Sequence, residues 1–366
     1  MPRAAVAFTG PRTVAVIEEE DRPPAEGEVR VRTLYSGIST GTELTMYRNT
    51  NPYMYKYWDP ALRLFVAGGE NEPMQYPVVA GYEEVGEVVD AGPGVTDLPP
   101  ETLVYGTWGH RSEQNVDAGH LRDRVLPPGT DPMYGIFSHI GAIALNGILD
   151  SGIRLGETVA VFGLGVVGQL IVQLAALSGA EVIGVDLIPA RLRLAEQLGA
   201  GRVINGAEVS AAEEIKRLTG GHERGGGADV CIEASGSARA LNEAIRACAY
   251  ASKVVALGFI QGEAKGLYLG EEFHHNRINI VCSQISGIAP ELQHRWNRLR
   301  LVQTFMGLAA QGKVQLRPLI THTAPPAQAP ELFRLLDEQP AEVMQAVIDF
   351  RSDSPADRQA AQHEQP

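Results

Sequence analysis

The sequence predicts an α/β protein with two domains, one β-rich and one built around a parallel sheet. Its 366 residues are more than twice the ~150 residues of an average domain. Residues 3–129 contain short apolar runs separated by glycine and proline, a pattern typical of β-strands joined by turns. From about residue 136 onward, strand-like and helix-like segments alternate, which indicates βαβ units and therefore a parallel sheet.

Composition and charge restrict the class of protein. Hydrophobic residues make up 44% of the chain and charged residues 20%, which are ordinary values for a globular protein. The net charge of −13 argues against nucleic acids and anionic membranes as partners. The sequence has neither a signal-peptide pattern nor an apolar run of ~20 residues, so we expect a cytoplasmic protein without a membrane partner.

Cysteine is sparse and gives no sign of a disulfide framework. Cys231, Cys248 and Cys282 are an odd set, and none of them belongs to a CxxC motif. This pattern argues against both structural disulfides and a zinc site built from cysteines. We expect Cys282 to belong to the core rather than to act as a nucleophile.

The N-terminal region is expected to form strands over residues 4–8, 14–17, 28–35 and 78–89, each bounded by turn residues. Among them lies a long irregular stretch, 46–75, that is dense in aromatic side chains. A loop of this length is usually a lid or a binding loop. Its aromatic side chains could equally form a small core of their own, and both interpretations stay open here.

In the second half of the chain, apolar periodicity predicts alternating strands and helices. The predicted strands are 157–162, 181–186, 229–233, 253–257 and 278–282, and the predicted helices are 142–149, 167–178, 191–198, 238–248, 295–310 and 329–338. The glycine-rich segment 219–227 is expected to be a surface turn, and the polar tail 352–366 is expected to fray.

A glycine motif predicts a dinucleotide-binding turn of the Rossmann type, on a doubly wound parallel sheet. Gly163, Gly165 and Gly168 form a GxGxxG pattern between an apolar strand and an apolar helix. The first glycine permits the tight turn, the second lets the backbone approach a pyrophosphate, and the third lets helix and strand pack closely. Leu164 and Val167 lie in the same turn, and the N-terminus of the helix attracts phosphate charge.

An acidic residue at the end of the next strand indicates the kind of nucleotide. Asp186 lies 18 residues after Gly168, close to the ~20 expected for a carboxylate that binds ribose hydroxyls. Such a carboxylate repels a 2′-phosphate, so NAD is the predicted cofactor. Arg191 and Arg193 lie close behind in sequence, and either could instead hold a 2′-phosphate.

Several motifs resemble those of the medium-chain alcohol and polyol dehydrogenase superfamily. Residues 36–43, S-G-I-S-T-G-T-E, are similar to its S-G-I-C-G-T-D segment, and residues 81–86, G-Y-E-E-V-G, are similar to G-H-E-x-x-G. The resemblance implies a GroES-like catalytic domain over residues 1–149 and 287–366, with a Rossmann domain over 150–286. It also implies that Ser235, Leu257 and Gly258 line the cofactor, and that the protein is a homodimer.

The sequence departs from the family pattern at the positions that bind zinc in zinc-dependent members. Where zinc-dependent members have a cysteine and a histidine, this chain has Ser39 or Thr40 and Tyr82, and the third ligand position falls at Ser138, beside His139. Hydroxyls and a phenol are poor zinc ligands compared with thiolate and imidazole. The family's four-cysteine structural lobe has no counterpart either. We therefore predict a zinc-free member of the family with no metal ligands.

Four residues are the predicted catalytic group, since hydride removal from an alcohol needs a base and a group that stabilises the alkoxide. By the resemblance, Thr42 matches a proton-relay hydroxyl, and Tyr82 could donate a hydrogen bond in place of the metal. His139 titrates near neutrality. Glu83, like Glu43, matches a carboxylate that orients these groups or acts as base. His110 is a weaker candidate.

The predicted function is oxidation, with NAD, of a secondary alcohol on a sugar, a cyclitol or a similar bulky small molecule. A zinc-free quinone or enoyl reductase is one alternative. Another is a redox-neutral epimerase or lyase that keeps NAD tightly bound. A non-catalytic nucleotide-binding protein is the remaining class.

Overall fold

The computed structural model describes residues 3–68, 72–220 and 225–352, and the chain forms two compact units. Unit 1 comprises the described parts of Met1–His139 and Leu319–Pro366, and unit 2 is Ile140–Pro318. The predicted boundaries at 149/150 and 286/287 lie inside unit 2. The predicted polar tail beyond residue 352 and the middle of the predicted turn 219–227 lie outside the described residues.

The strands are short in both units and are numbered here in chain order. They are β1 Arg3–Gly10, β2 Thr13–Glu19, β3 Glu28–Ile38, β4 Tyr57–Asp59, β5 Leu64–Val66, β6 Glu84–Ala91, β7 Leu103–Gly106, β8 Glu113–Asp117, β9 Thr158–Phe162, β10 Glu181–Asp186, β11 Arg202–Asn205, β12 Ala228–Glu233, β13 Cys248–Ala256, β14 Asn279–Cys282, β15 Ile320–Ala324 and β16 Gln345–Asp349.

The helices are concentrated in the second half of the chain. They are α1 Thr40–Tyr47, α2 Ala118–Leu121, α3 Phe137–Ser151, α4 Val166–Leu177, α5 Pro189–Gln197, α6 Ala211–Leu218, α7 Ala238–Ala247, α8 Arg298–Ala310 and α9 Ala329–Glu338. One helical segment, Pro132–Ser151, is long and apolar enough to cross a membrane, and 72% of its apolar window is buried within the protein. Such burial is typical of a core helix.

Unit 2 contains a parallel sheet in the order β11-β10-β9-β12-β13-β14. This is the doubly wound arrangement, in which the direction of winding reverses between β9 and β12. Its strands are apolar on both faces because helices cover both sides. Helices α6 and α7 cover one face of the sheet, and they pack Ile215, Leu241 and Ile245 against it.

Unit 1 is built on a mostly antiparallel sheet in the order β15-β16-β3-β6-β7, with β8 also paired to β3. Its core has two parts. One lies around Phe8, Tyr47 and Phe333, whose rings are in mutual contact, and the other lies around Val29, Val31 and neighbouring residues. The two units together confirm the predicted fold class, a Rossmann sheet with a β-rich GroES-like domain.

The structure corrects several of the sequence-based expectations, and the short elements α1, α2, β4, β5, β7 and β8 were not predicted at all. The predicted strand 78–89 begins only at Glu84, because Gly81 has a φ of +106° that interrupts the extended chain. β11 and α6 were not predicted, since the strand is four residues long and the helix is highly charged. Cys282 was expected in the core but is exposed, because it ends β14 at the edge of the sheet.

Candidate active site

The predicted catalytic residues of unit 1 come from two neighbouring strands and the helix that follows one of them. Ser39 follows β3 and occupies the N-cap position of α1, so Thr42 and Glu43 lie in its first turn. Tyr82 and Glu83 immediately precede β6. Because β3 pairs with β6 in a register that aligns Ser36 with Glu84, the two segments meet at one end of the sheet.

The phenol of Tyr82 is the meeting point of this group. Its oxygen donates a hydrogen bond to Thr42 Oγ1 at 3.1 Å and shares a short hydrogen bond with Ser39 Oγ. The ring of His139 lies edge-on, with the two ring centroids 5.0 Å apart. The structure thus brings together Thr42, Tyr82 and His139, and both Thr42 and Tyr82 keep part of their surface exposed.

Protonation of Tyr82 follows from its surroundings. Burial raises the pKa of its phenol well above the usual value, and the nearby Glu83 carboxyl adds to this effect. The phenol therefore stays neutral at physiological pH and acts as a hydrogen-bond donor rather than as a phenolate.

Glu83 has a different environment from the other three predicted catalytic residues. It is fully buried, and Gln345 Nε2 lies 3.3 Å from its Oε2. Burial raises the pKa of Glu83 well above its usual range, and the carboxyls of Glu43 and Glu84 raise it further. A buried, protonated carboxyl is a poor base, so the structure favours the orienting role for Glu83.

His110, the weaker candidate in the sequence, is the centre of a buried polar chain. Its Nε2 lies 2.7 Å from Glu43 Oε2, and its Nδ1 lies 2.6 Å from Ser36 Oγ. Ser36 in turn donates to Glu84 Oε1 at 3.1 Å. The other oxygen of Glu43 accepts a hydrogen bond from Ser39 N at 2.9 Å, which connects the chain to the phenol group.

Burial and the neighbouring carboxylate shift the pKa of His110 in opposite directions. Burial alone would lower the pKa of His110, but the Glu43 carboxylate beside it raises that pKa above the usual value. Burial raises the pKa of Glu84 to about 7. Glu43 and His110 therefore form a buried pair that becomes an ion pair when His110 is protonated, while Glu84 is largely protonated below neutral pH.

The donors at the family's metal positions do not fit zinc. Ser39 and Tyr82 hydrogen-bond to each other, and the phenol is held in its protonated form. Within residues 3–68, 72–220 and 225–352, no group of three or more His, Cys, Asp or Glu side chains is arranged to hold a metal ion. Zinc prefers thiolate, imidazole and carboxylate ligands, and this position offers hydroxyl groups.

In unit 2, the predicted cofactor residues converge at the carboxyl ends of the parallel strands. Gly163 follows β9 with a φ of +89°, and a Cβ there would lie 2.5 Å from that of Ser235, after β12. A Cβ on Gly258, after β13, would lie 2.2 Å from Gly236 N. The turns after these three strands are therefore in direct contact, at the point where doubly wound sheets bind ligands.

The two later glycines of the motif differ in their surroundings. A Cβ on Gly168 would lie 1.9 Å from the carbonyl oxygen of Gly163, so only glycine fits there. A Cβ on Gly165, the N-cap residue of α4, would meet nothing within 4 Å. Gly165 thus faces open space at the N-terminus of a twelve-residue helix, next to Val167 in its first turn.

Asp186 makes backbone contacts that its spacing did not predict. Its Oδ2 accepts a hydrogen bond from Leu164 N at 2.6 Å, and its Oδ1 accepts bonds from the two main-chain N–H groups that follow it. The carboxylate therefore holds the glycine turn to the end of β10. Arg191 lies on α5, where its carbonyl oxygen accepts from Gln169 Nε2 at 2.8 Å.

The turns after β12 and β13 are both held by Glu233, the first through its buried carboxylate and the second through its main-chain carbonyl oxygen. Glu233 Oε1 accepts hydrogen bonds from the main-chain N–H groups of Ser235 and Gly236. The main-chain N–H groups of Leu257 and Gly258 donate to the carbonyl oxygen of Glu233, at 2.9 and 3.0 Å. These bonds place Ser235, Leu257 and Gly258 close together at the ends of β12 and β13.

The aromatic stretch 46–75 contains a β-hairpin of β4 and β5. Phe65 contacts both Tyr53 and Trp58, with ring centroids 5.2 and 5.0 Å apart. Asp59 Oδ1 accepts two N–H bonds within the hairpin turn, and Arg48 pairs with Asp337. These contacts join the aromatic side chains into a surface cluster, since Tyr53 and Phe65 are exposed, and they do not form a buried core. Residues 69–71 lie outside the described residues.

Comparison with known proteins agrees with this geometry. The zinc-binding dehydrogenase family matches residues 166–301, a segment that excludes Ser39, Tyr82 and His139. D-guloside 3-dehydrogenase of Escherichia coli (strain K12) is 31% identical over 349 residues, covering 93% of this chain and 98% of the relative.

Solved structures share the fold across nearly the whole chain. The 2R,3R-butanediol dehydrogenase of Bacillus subtilis is 20% identical, covers 95% of this chain and 99% of its own, and has a TM-score of 0.75. A short chain alcohol dehydrogenase from Escherichia coli CFT073, crystallised with NADH, is also 20% identical, covers 95% of this chain and 100% of its own, and has a TM-score of 0.75. By its near full-length similarity to these dehydrogenases, the chain belongs to the medium-chain alcohol and polyol dehydrogenase superfamily.

Proposed function

We propose that this protein is an NAD-dependent dehydrogenase that oxidises a secondary alcohol of a sugar, cyclitol or similar bulky molecule without using zinc. The observation that carries the proposal is the neutral phenol of Tyr82, hydrogen-bonded to Ser39 and Thr42 where relatives place metal ligands. A preorganised donor at that position can stabilise a developing alkoxide, as a metal would.

The residues of unit 1 divide the chemistry between them. Tyr82 turns its single phenolic proton from Thr42 Oγ1 to the substrate oxygen, and the hydroxyls of Ser39 and Thr42 then hold the phenol in place as hydrogen-bond donors. His139, with its ring beside that of Tyr82, accepts the hydroxyl proton as the general base. The carbinol loses this proton and a hydride, so it becomes a ketone. Glu83 orients the group and does not touch the substrate.

The residues of unit 2 fit a nicotinamide dinucleotide. The open space at Gly165 and the N-terminus of α4 suit a pyrophosphate. Asp186 would bind the adenosine ribose, and Ser235, Leu257 and Gly258 would line the nicotinamide end. Bound NAD would supply the hydride acceptor. Similar structures are crystallised with NADH and with NADP, so the choice of NAD rests on Asp186.

The substrate class rests on the relative with the greatest similarity quoted above. That protein is named for oxidation at position 3 of D-gulosides, so a ring hydroxyl of a sugar or glycoside is the favoured substrate. We further propose a homodimer, because within the described residues no strand pairs with the outer edge of β14, where Ile280 is exposed, and a second copy can extend the sheet there. A cytoplasmic location stays part of the proposal on the sequence pattern alone.

We expect chelator-treated protein to reduce NAD with one class of substrate from a panel of glycosides, free sugars, cyclitols and bulky secondary alcohols. Turnover should be unchanged by the chelator, because no step uses a metal. NADH formation measures the rate, and metal analysis of the purified protein is the control. Loss of activity that zinc restores, or one zinc per chain, would refute the metal-free site.

The same panel separates the alternatives. Absence of turnover on every substrate, together with NAD recovered from the denatured protein, would favour a redox-neutral epimerase or lyase. Absence of both would contradict the enzyme assignment.

Asp186→Asn should weaken NAD binding by about tenfold, about 1.4 kcal/mol, and NADP binding much less. The amide keeps the side-chain size but loses the charge that attracts ribose hydroxyls and repels a 2′-phosphate. Titration calorimetry with both nucleotides measures the ratio of their Kd values. Because Asp186 also accepts three backbone hydrogen bonds, damage to the turn alone would weaken both nucleotides equally and so refute the ribose assignment.

A further inference from the structure

The buried polar chain of Glu43, His110, Ser36 and Glu84 takes no part in the proposed chemistry. Burying these four side chains nevertheless costs free energy. All four side chains are at most 1% exposed. Burying charged and polar groups is unfavourable unless each finds a partner, and a buried ion pair is weak evidence for stability. In some proteins such a pair is kept because it holds neighbouring groups in one geometry, and here the Tyr82 phenol and its partners lie beside it.

This polar chain is connected to the Tyr82 phenol in two ways, by hydrogen bonds through Ser39 and by packing against Gly81. Through its bond to His110, the Glu43 carboxylate is held where its second oxygen accepts from Ser39 N, and Ser39 Oγ bonds the phenol. His110 also packs against the residue before Tyr82, since a Cβ on Gly81 would lie 2.9 Å from both His110 N and Nδ1. The imidazole therefore supports the phenol and its hydroxyl partner at the same time.

We infer that His110 is a positioning residue for the dehydrogenase reaction, which holds Ser39 and Tyr82 in the geometry that stabilises the alkoxide. This inference rests on the proposed function. The charged groups that face His110 are Glu43 and Glu84, with Arg111 adjacent in sequence. Of its two bonds, the one to Glu43 is the one that leads to the phenol.

The test compares two amide substitutions that each preserve one of the two bonds. The amide nitrogen of His110→Gln can reach the position of Nε2 and keep the bond to Glu43. The shorter His110→Asn can keep only the bond to Ser36, at the position of Nδ1. We expect kcat of His110→Asn to fall by about 10²-fold, with the KM for the alcohol and the Kd for NAD little changed. His110→Gln should recover most of the loss.

A readout independent of turnover keeps the inference separate from the proposed function. The ¹³Cζ resonance of Tyr82, assigned by comparison with Tyr82→Phe, reports the hydrogen bonding of the phenol. It should shift in His110→Asn and return toward the wild-type position in His110→Gln, whether or not a substrate has been found. Equal NMR spectra and equal kcat per NAD-binding molecule in the three proteins would overturn the inference. Equal losses in both variants, in proportion to lost thermal stability, would reduce His110 to a structural role.

Discussion

Tyr82→Phe is expected to lower kcat by about 10²- to 10³-fold, the usual effect of removing one donor that stabilises an oxyanion. The substitution removes only the hydroxyl, so the ring contact with His139 is kept. The Kd for NAD should be unchanged, because the predicted nucleotide contacts lie in unit 2. Steady-state kinetics on the substrate found by the panel, with NAD titrations on the same preparation, measure both quantities.

Ser39→Ala is the matched control for this effect. It removes one hydrogen bond to the phenol but leaves the bond between Tyr82 and Thr42, so its kcat should fall much less. If Tyr82→Phe retained wild-type kcat, the phenol would only fill space, and the alkoxide would have to be stabilised by another group. If Ser39→Ala were as damaging as Tyr82→Phe, the serine hydroxyl rather than the phenol would be the main donor.

Gly165→Ala is expected to weaken NAD binding by about tenfold or more, about 1.4 kcal/mol, without lowering the Tm of the protein free of nucleotide. A methyl group at this position meets no protein atom within 4 Å, and the φ of −68° suits alanine. The only group that it can obstruct is therefore a ligand that approaches the N-terminus of α4. Thermal unfolding without nucleotide tests whether the Tm is unchanged, and a titration with NAD tests whether its affinity falls.

Gly168→Ala serves as the contrast, because its methyl group would press against the carbonyl oxygen of Gly163. Overpacking of this kind costs about 1–3 kcal/mol, so both Tm and NAD affinity should fall. Unchanged NAD binding in Gly165→Ala would mean that the open space at this helix end holds no pyrophosphate. The glycine motif would then have a purely structural role.

The geometry of the glycine turn was predictable from the sequence because its determinants are local. A tight turn after a strand needs Gly163, a close approach of helix to strand needs Gly168, and both belong to one continuous motif. Parallel strands bring their carboxyl ends to one edge, so Ser235 and Gly258 follow from the fold class. The contacts of Asp186 with the backbone were not predicted, since a side chain's partners do not follow from its spacing.

The arrangement of the candidate catalytic residues was predictable only in part. Thr42, Tyr82 and Glu83 follow from motif resemblance, but nothing local distinguishes the partly exposed Tyr82 from the fully buried Glu83 one residue later. That difference arises from the tertiary contacts of each side chain, Tyr82 with Ser39 and Thr42 and Glu83 with Gln345. The strand predicted over 78–89 also failed at Gly81, where the positive φ creates the space that His110 occupies.

His110 shows most clearly where local information ends. Its two partners are 67 and 74 residues away in sequence, and main-chain bonds to Ala80 and Val6, which are also distant in sequence, hold His110 beside them. Local propensity and motif spacing were sufficient for the fold class and for the nucleotide turn, because both depend on neighbouring residues. The protonation states and the buried support of the phenol depend on burial and on long-range pairing, which exist only once the chain has folded.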